Sequence, residues 1–519
     1  MRPVTACDAC RANKRKCRLD TKDTVCIRCS SLKIECSLQR WVVRPRLPPT
    51  RLAPQRSPQP RVQPVADDFP SLALRRELVT LYFLVVHDTH HSIFHRPTVE
   101  RQINDGDFPD VLLFSMMALG ARFSDNRIFV GTDRRRRGDQ YAERARKLLD
   151  LTDISVSTIQ ACILLGTVCF SDSQTKSESL YYSVAVRLAL ILDLPNKQCA
   201  DQVERQVNLR IWWSLYMIDI WSSAGLNLPR QLDFVEAYPL PTSEDIFLSL
   251  RSGATVAEDR PGLWSEMVIL ARIWARIHNL NKASVNSLID YESLTDAADR
   301  LAQELHDWSA NLKPDLQETP ENLERYNVLG LGNAFAALHL GYHYYNEVLF
   351  YQFLARTPDP QSTAPVTESY RSQCDAHALA FCTLLYTCRS TPTLAHQCQY
   401  VMVGHMLVVT STVYIHMLLF SEDDEAKTQL ARRRLAQNFE ILTELQTFWV
   451  TLDVALSRLQ VFHNACRRSI DESFRMDRWM LAFILEHGSL VVERPIGEHG
   501  EGEGDSPGTL RNWFLRTFD

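Results

Sequence analysis

Six cysteines near the start of the chain constrain its fold more than any other feature. They are Cys7, Cys10, Cys17, Cys26, Cys29 and Cys36. Their spacing, C-x2-C-x6-C-x8-C-x2-C-x6-C, contains the same half twice. Zn²⁺ prefers four ligands in a tetrahedron, and thiolates suit it well. Six thiolates are too few for two separate four-cysteine sites, so the pattern predicts a compact cluster of two zinc ions that share two cysteines.

The equivalence of the two halves indicates which cysteines are shared. The first cysteines of the two halves, Cys7 and Cys26, are both predicted to bridge the two ions. The terminal ligands then divide by half, with Cys10 and Cys17 on one ion and Cys29 and Cys36 on the other. Residues 1–40 contain too few apolar side chains to bury a core alone, so we expect metal binding to drive their folding.

Three other interpretations of the cysteines are weaker. Disulfides would need an oxidising compartment, and the segment MRPVTACDAC has no apolar core, so we expect no secretory signal. A redox C-x2-C would need a βαβ context, which the sequence does not offer. A metal store would not need basic residues between its ligands. The other eight cysteines lie scattered in apolar sequence, which is typical of buried thiols.

Basic residues surround the ligands. Residues 1–40 hold ten Lys/Arg against four Asp/Glu, and this excess on a small rigid unit is typical of proteins that contact DNA phosphates. An exposed charged face or a nuclear-import signal would explain the same charge. The candidate DNA-binding residues are Arg11, Asn13, Lys14, Arg15, Lys16 and Arg18.

The rest of the chain divides by composition. Residues 41–70 hold eight prolines and five arginines, which predicts a flexible linker. Residues 71–490 read as successive amphipathic helices without a convincing strand, so the predicted fold class is mostly α with a large all-α body. The predicted helices are 72–87, 108–123, 155–170, 177–194, 207–224, 263–281, 291–312, 323–354, 367–388, 391–420, 424–447, 453–468 and 471–487.

Two segments of the sequence leave alternatives open. Residues 401–420 are apolar and long enough to cross a bilayer, but the stretch lies among amphipathic helices, so a core helix is the prediction and no membrane partner is expected. Residues 491–519 are acidic with interspersed aromatics. They are interpreted either as an activation segment that a coactivator captures or as a terminus that docks on the body.

Several polar groups in the body are candidates for active or metal sites. A histidine group, His87, His90, His91 and His95, and the pair His339 and His343 lack a carboxylate set, so packing is expected. The same holds for Cys374, His377 and Cys382. The arginine runs 134–137 and 432–434 are expected at exposed helix ends, and a role in nuclear import is the alternative interpretation. No catalytic constellation is present in the sequence, so the chain is predicted not to be an enzyme.

With all six ligands and the basic run in place, residues 1–40 resemble the fungal Zn(2)-Cys(6) binuclear-cluster transcription factors. The resemblance implies a nuclear protein whose helix places Lys14 in the major groove over a CGG-type triplet. It also implies phosphate contacts by the neighbouring basic residues, which are Arg11, Arg15, Lys16 and Arg18. The loop 20–25 lacks the proline that the family usually has, and Asn13 stands where many members carry a basic residue.

The body resembles the regulatory region of the same family. The segment 87–97 is similar to its early HPxxPxxHRP-type motif. Residues 210–229 are similar to its RxxWWxLYxxDxxxS…GRP signature, with Asn227 and Leu228 in place of Gly-Arg. The segment 238–241, Tyr-Pro-Leu-Pro, also fits.

Together these features predict a sequence-specific transcription factor of the RNA polymerase II type that regulates fungal metabolic or secondary-metabolite genes. Its expected partners are double-stranded DNA, a second copy bound through the helical body, and a coactivator or the transcription machinery. The alternative is a regulator that carries the zinc cluster but binds other proteins or senses a ligand, and that does not itself read DNA bases.

Overall fold

The computed structural model describes residues 10, 17, 26–32, 69–253, 260–354, 364–391, 398–420 and 424–469. The chain divides into two units, Met1–Phe69 and Pro70–Asp519. The described residues are mostly helical and contain no extended strand; isolated bridges join His87 to His91 and Thr242 to Pro261. The prediction of a mostly α protein is therefore confirmed.

The first unit contributes one described helix and the second unit contributes all the others. In chain order they are α1 (Ile27–Ser31), α2 (Leu72–Val85), α3 (Arg96–Asp105), α4 (Asp110–Gly120), α5 (Asp139–Leu148), α6 (Val156–Ser171), α7 (Thr175–Ile191), α8 (Gln202–Leu226), α9 (Glu244–Ser249), α10 (Leu263–Val285), α11 (Tyr291–Asn311), α12 (Pro320–Val328), α13 (Gly332–Tyr351), α14 (Ala364–Ser390), α15 (Val401–Phe420), α16 (Glu425–Gln446) and α17 (Thr451–Ser469).

Consecutive helices of the second unit pack against each other in pairs. The most extensive contacts join α6 to α7, α13 to α14, α15 to α16 and α4 to α5. The connections from α6 to α7 and from α15 to α16 are short, and a short connection favours packing of an apolar helix face against the next helix. The buried side chains form one core cluster that extends from Leu78 to Leu459.

Local signals explain where the central helix α8 begins and ends. The Asp201 side chain accepts a hydrogen bond from the backbone N–H of Glu204 at 2.9 Å and so caps the first turn. The helix ends at Asn227, whose φ of 54° and ψ of 41° are left-handed. Asparagine tolerates this conformation better than most residues do. This is the position at which the signature has glycine, so the replacement preserves the helix end.

One helix in the described part of the chain, α15, is long and apolar enough to cross a bilayer, but 83% of its segment Val401–Leu418 is buried inside the structure. Its polar side chains also have partners in the body. The Thr410 hydroxyl donates to Glu347 at 2.8 Å, and Asn438 donates to the Ser411 hydroxyl at 3.1 Å. These contacts support the prediction of a core helix.

Some predicted helix boundaries were wrong. The predicted helix 323–354 is divided into α12 and α13 at Gly330, whose φ of 74° no helical residue adopts. The predicted helix 391–420 begins only at Val401, after Cys398 with a φ of 59°. The polar helices α3 and α5 and the short α9 were not predicted at all. The predicted helix 471–487 lies outside the described residues.

Candidate metal centre and the motif network of the helical body

Cys26 lies directly before α1 and caps it. The backbone N–H of Cys29, in the first turn, points at the Cys26 sulfur with an N···Sγ distance of 3.4 Å. Both residues are buried, with 0% and 1% of their surface exposed. A helix N-terminus and an N–H donor both favour the thiolate form, which is the form that binds a metal. The C-x2-C spacing thus places two thiols on one helical turn.

The sulfur atoms of Cys10, Cys17 and Cys26 lie within 4.8 Å of one another. The Cys10 and Cys26 sulfurs are 3.7 Å apart. In a tetrahedral site with Zn–S bonds of about 2.3 Å, two sulfurs lie about 3.8 Å apart. The three side chains therefore fit a zinc ion in both donor type and spacing, and such an ion would cross-link segments that have little apolar surface of their own.

The composition of this trio bears on the bridging hypothesis. Cys10 and Cys17 belong to the first half of the repeat, whereas Cys26 opens the second half. Cys26 thus lies beside the ligands of the first half, as the hypothesis that it bridges two ions requires. Cys7, Cys36 and the candidate DNA-binding residues Arg11, Asn13, Lys14, Arg15, Lys16 and Arg18 lie outside the described residues, as do almost all of the linker and the whole tail 491–519.

The histidine-rich segment after α2 is part of the core of the body. The ring of His87 accepts hydrogen bonds at Nε2 from the backbone N–H groups of Ile93 and Phe94, both at 3.1 Å. The Tyr82 hydroxyl lies 2.7 Å from His91 Nε2. Burial lowers the pKa of His90 to about 4. These rings support the turn, in line with the expectation of packing.

The same segment is tied to the signature on α8. The backbone N–H of Ser92 donates to the Ser214 hydroxyl at 3.0 Å, and this hydroxyl donates back to the Ser92 carbonyl at 3.2 Å. Arg210, which is 0% exposed, donates to the Ser92 hydroxyl at 3.0 Å and to the Thr242 carbonyl at 2.7 Å. The first motif, the signature and the segment after 241 therefore meet around one buried guanidinium.

The remaining signature residues fix the loop after α8. Asp219 accepts hydrogen bonds from the backbone N–H groups of Gln231 at 2.7 Å and Leu232 at 2.9 Å. The Trp213 indole N–H donates to the Pro239 carbonyl at 2.9 Å, which holds the Tyr-Pro-Leu-Pro segment against the helix. The signature thus consists of structural cross-links, and none of these contacts forms a catalytic arrangement.

Sequence reasoning missed a carboxylate beside His339 and His343. Glu318, in the loop after α11, lies 2.9 Å from His343 Nε2, measured from Oε2. On the other side, His343 Nδ1 lies 3.1 Å from His377 Nδ1. Burial lowers the pKa of His339 to about 4. Within the described ranges, the cysteine trio is the only group of three or more ligand side chains close enough to hold a metal ion.

The remaining candidates have packing partners. The Cys374 thiol is buried and donates to the Glu347 carbonyl at 3.5 Å.

The expectation that residues 134–137 form an exposed helix end was wrong. Arg134–Arg136 form a 3-10 turn. Arg135 forms an ion pair with Asp453 of α17 at 3.2 Å, which links this turn to α17. The run 432–434 lies in the middle of α16 and not at an end.

Comparison with known proteins agrees with this arrangement. The fungal Zn(2)-Cys(6) binuclear cluster domain matches residues 5–42. The fungal specific transcription factor domain matches residues 79–310. Together the two matches span a little over half of the chain.

Among curated proteins, a transcriptional regulatory protein of Schizosaccharomyces pombe is 25% identical over 54% of this chain and 32% of its own length. Activator of stress genes 1 of Saccharomyces cerevisiae is 24% identical over 53% of this chain and 31% of its own length. A Zn(2)-C6 fungal-type transcription factor of Fusarium oxysporum f. sp. lycopersici is 23% identical over 52% of this chain and 33% of its own length.

The match to these relatives thus spans about a third of their own length. Their names describe transcriptional regulators and not enzymes. The cluster domain implies two zinc ions held by cysteines, and the sulfur positions described above fit that metal. The chain therefore belongs to the fungal Zn(2)-Cys(6) binuclear-cluster family of transcription factors.

Proposed function

We propose that this chain is a nuclear, sequence-specific regulator of RNA polymerase II transcription whose residues 1–40 read a CGG-like triplet in double-stranded DNA. The observation that carries the proposal is the convergence of the Cys10, Cys17 and Cys26 sulfurs. The Cys10 and Cys17 sulfurs lie within 4.8 Å of each other, so a shared zinc ion would fix the two residues that flank the basic segment 11–16. A basic segment held in this way loses little conformational entropy when it binds a phosphate backbone.

Each residue of the segment has a proposed role. Lys14 reads the base edges of the triplet in the major groove, where a lysine recognises guanine O6 and N7. Four basic residues contact phosphates, namely Arg11, Arg15, Lys16 and Arg18. These contacts position residues 1–40 on the DNA but carry no sequence information. Asn13 adjusts the preference for flanking bases. The zinc ions supply no reaction step; they hold these side chains in place.

The proposed organisation assigns one task to each part of the chain. Residues 1–40 bind DNA, residues 41–70 tether them, residues 71–490 regulate and dimerise, and residues 491–519 contact a coactivator. The regulated genes are proposed to be fungal metabolic or secondary-metabolite genes. Dimerisation through the body would raise the effective concentration of the second copy's residues 1–40 at a DNA site that contains two triplets.

Binding-site selection with the full zinc-loaded chain tests the proposal. From random duplex DNA, the chain is expected to enrich fragments that contain a CGG-like triplet, and a Cys10→Ala chain is expected to enrich none. Loss of the enrichment in a Lys14→Ala chain assigns the readout to that residue. If the intact chain enriches no triplet, base readout is refuted, and a zinc-headed interaction or ligand-sensing regulator becomes the better account.

A further inference from the structure

Three polar side chains meet where α13, α14 and the loop after α11 come together in the helical body. His343 of α13 lies between the other two. Its Nε2 is 2.9 Å from Glu318 Oε2, and its Nδ1 is 3.1 Å from His377 Nδ1 on α14. The side chains of His343 and Glu318 are 11% and 36% exposed, and His377 is half-buried. The group therefore lies at the edge of the core, within reach of small ions from solvent.

The carboxylate determines which nitrogen of His343 carries a proton. Burial opposes ionisation of Glu318, but the hydrogen bond from His343 lowers the pKa of this carboxyl, so it is charged near neutral pH. An ionised carboxylate only accepts hydrogen bonds, so His343 Nε2 is the donor. A neutral imidazole has one N–H, and Nδ1 of neutral His343 therefore presents a lone pair to α14. A carboxylate commonly orients a metal-binding histidine in this way.

His377 can present a second lone pair to the same point. Burial lowers the pKa of its ring to about 4, so the imidazole is neutral near pH 7, which is the form that binds metals. With its proton on Nδ1, His377 donates a hydrogen bond to His343. With its proton on Nε2, the two Nδ1 atoms face each other as lone pairs and need a cation between them. A change of tautomer thus converts the hydrogen-bonded pair into two metal ligands.

The separation of the two Nδ1 atoms fits a zinc ion. Bonds from zinc to histidine nitrogen are about 2.0–2.1 Å long, so two such nitrogens in a tetrahedral site lie about 3.3 Å apart. The observed separation is 3.1 Å. The two histidines belong to helices that pack extensively against each other, so an ion between them would link α13 to α14. Two protein ligands converge here among the described residues, and water would complete the coordination.

We propose that His343 and His377 form a second metal site, which binds one Zn²⁺ ion, and that Glu318 positions His343 for this role. Zinc bound to the folded body would stabilise it increasingly as the free zinc concentration rises, so the body would respond to zinc supply. Two histidines hold zinc more weakly than a cysteine cluster does, so this ion is expected to leave on desalting. The proposal is independent of DNA readout, and its test contains no DNA.

The test uses the full chain without a histidine tag, loaded with zinc and then desalted. Zn²⁺ is added back in competition with a fluorescent zinc indicator, and one further equivalent is expected to bind. His343→Gln and His377→Gln are each expected to weaken its binding at least about tenfold, because each removes one of two ligands. His306→Gln, at an exposed histidine on α11, is the matched control and is expected to leave binding unchanged.

A thermal measurement tests the link between the helices. Added zinc is expected to raise the melting temperature of the body in the parent chain and in His306→Gln, but not in His377→Gln. The same transition shows whether each variant is folded. Absence of a further zinc equivalent in the parent chain would overturn the site. Unchanged zinc affinity in a folded His343→Gln or His377→Gln chain would overturn it equally.

The positioning role of Glu318 has its own test. Glu318→Ala is expected to weaken zinc binding by about 10- to 100-fold. Glu318→Gln is expected to recover part of this loss, because its amide oxygen can still accept a hydrogen bond from His343 Nε2. Equal zinc affinity in Glu318→Ala and the parent chain, or no recovery in Glu318→Gln, would overturn the positioning role.

Discussion

Arg210 and Glu244 form an ion pair in the interior of the helical body, with 3.4 Å between Nη2 and Oε1. Their side chains are 0% and 6% exposed. Glu244 also accepts hydrogen bonds from the backbone N–H groups of Leu263 at 2.8 Å and Trp264 at 3.0 Å, where α10 begins. The guanidinium lies over the Phe247 ring, 4.2 Å from its centroid. One charge pair thus connects the signature on α8 to the start of α10.

The first prediction concerns this pair. Arg210→Met leaves the Glu244 carboxylate buried without its cation, and removal of one partner of such a pair costs about 3–5 kcal/mol. The exposed pair Arg276 and Glu304 provides the control, since Arg276→Met is expected to cost about 1 kcal/mol or less. Urea unfolding of both variants measures the difference. If Arg210→Met and Arg276→Met lower the free energy of unfolding by similar amounts, the claim that the buried pair of Arg210 and Glu244 stabilises the body is contradicted.

The second prediction concerns pH. Burial raises the pKa of Glu347 to about 8, although Thr410 donates a hydrogen bond to it. The ordinary value is 4.5, so between these pH values the folded state keeps a proton that the unfolded state has lost. Folding stability therefore falls as pH rises through this window, by up to about 1.4 kcal/mol per pH unit.

Glu347→Gln isolates this effect, because the amide is neutral at every pH. The melting temperature of the variant minus that of the parent chain is expected to increase from pH 5 to pH 8. The difference between the two proteins is measured, so other titrating groups such as Glu178, whose pKa burial raises to about 8, cancel. A difference that stays constant across the window would contradict a buried, neutral Glu347.

The third prediction concerns the metal. The chain is expected to bind two Zn²⁺, as counted by elemental analysis, and a chelator is expected to unfold residues 1–40 while the body, a separate unit, retains its thermal transition. Cys26→Ala is expected to lose more zinc than Cys36→Ala, because a bridging thiolate serves both ions. Equal losses from the two variants, or a single zinc in the intact chain, would contradict the bridged cluster.

The sequence sufficed for the fold class and for most helices because their apolar residues recur at helical spacing. Helices α3 and α5 were missed because they are short and mostly polar, each with few buried residues. The division of 323–354 depends on the positive φ of Gly330, and a single glycine inside an amphipathic pattern does not reveal its backbone conformation.

The metal site was predictable in outline because ligand type and spacing are local properties of the sequence. The contact between Cys10 and Cys26 fits the predicted sharing of ligands between halves. The position of Glu318 beside His343 could not be predicted, because a loop brings it there from outside the helix that carries the histidines. The reciprocal hydrogen bonds of Ser92 and Ser214 likewise join segments that only the folded body brings together.

The central claim is that the zinc-held basic segment reads bases, and the binding of Lys14→Ala and Arg15→Ala chains to DNA tests it most directly. Affinities are measured for the selected triplet and for random duplex DNA, each over a range of salt concentrations. Lys14→Ala is expected to cost about 1–3 kcal/mol on the triplet and little on random DNA. Arg15→Ala is expected to weaken both DNAs alike and to reduce the salt slope by about one unit. Equal losses for Lys14→Ala on triplet and random DNA would contradict base readout by this residue.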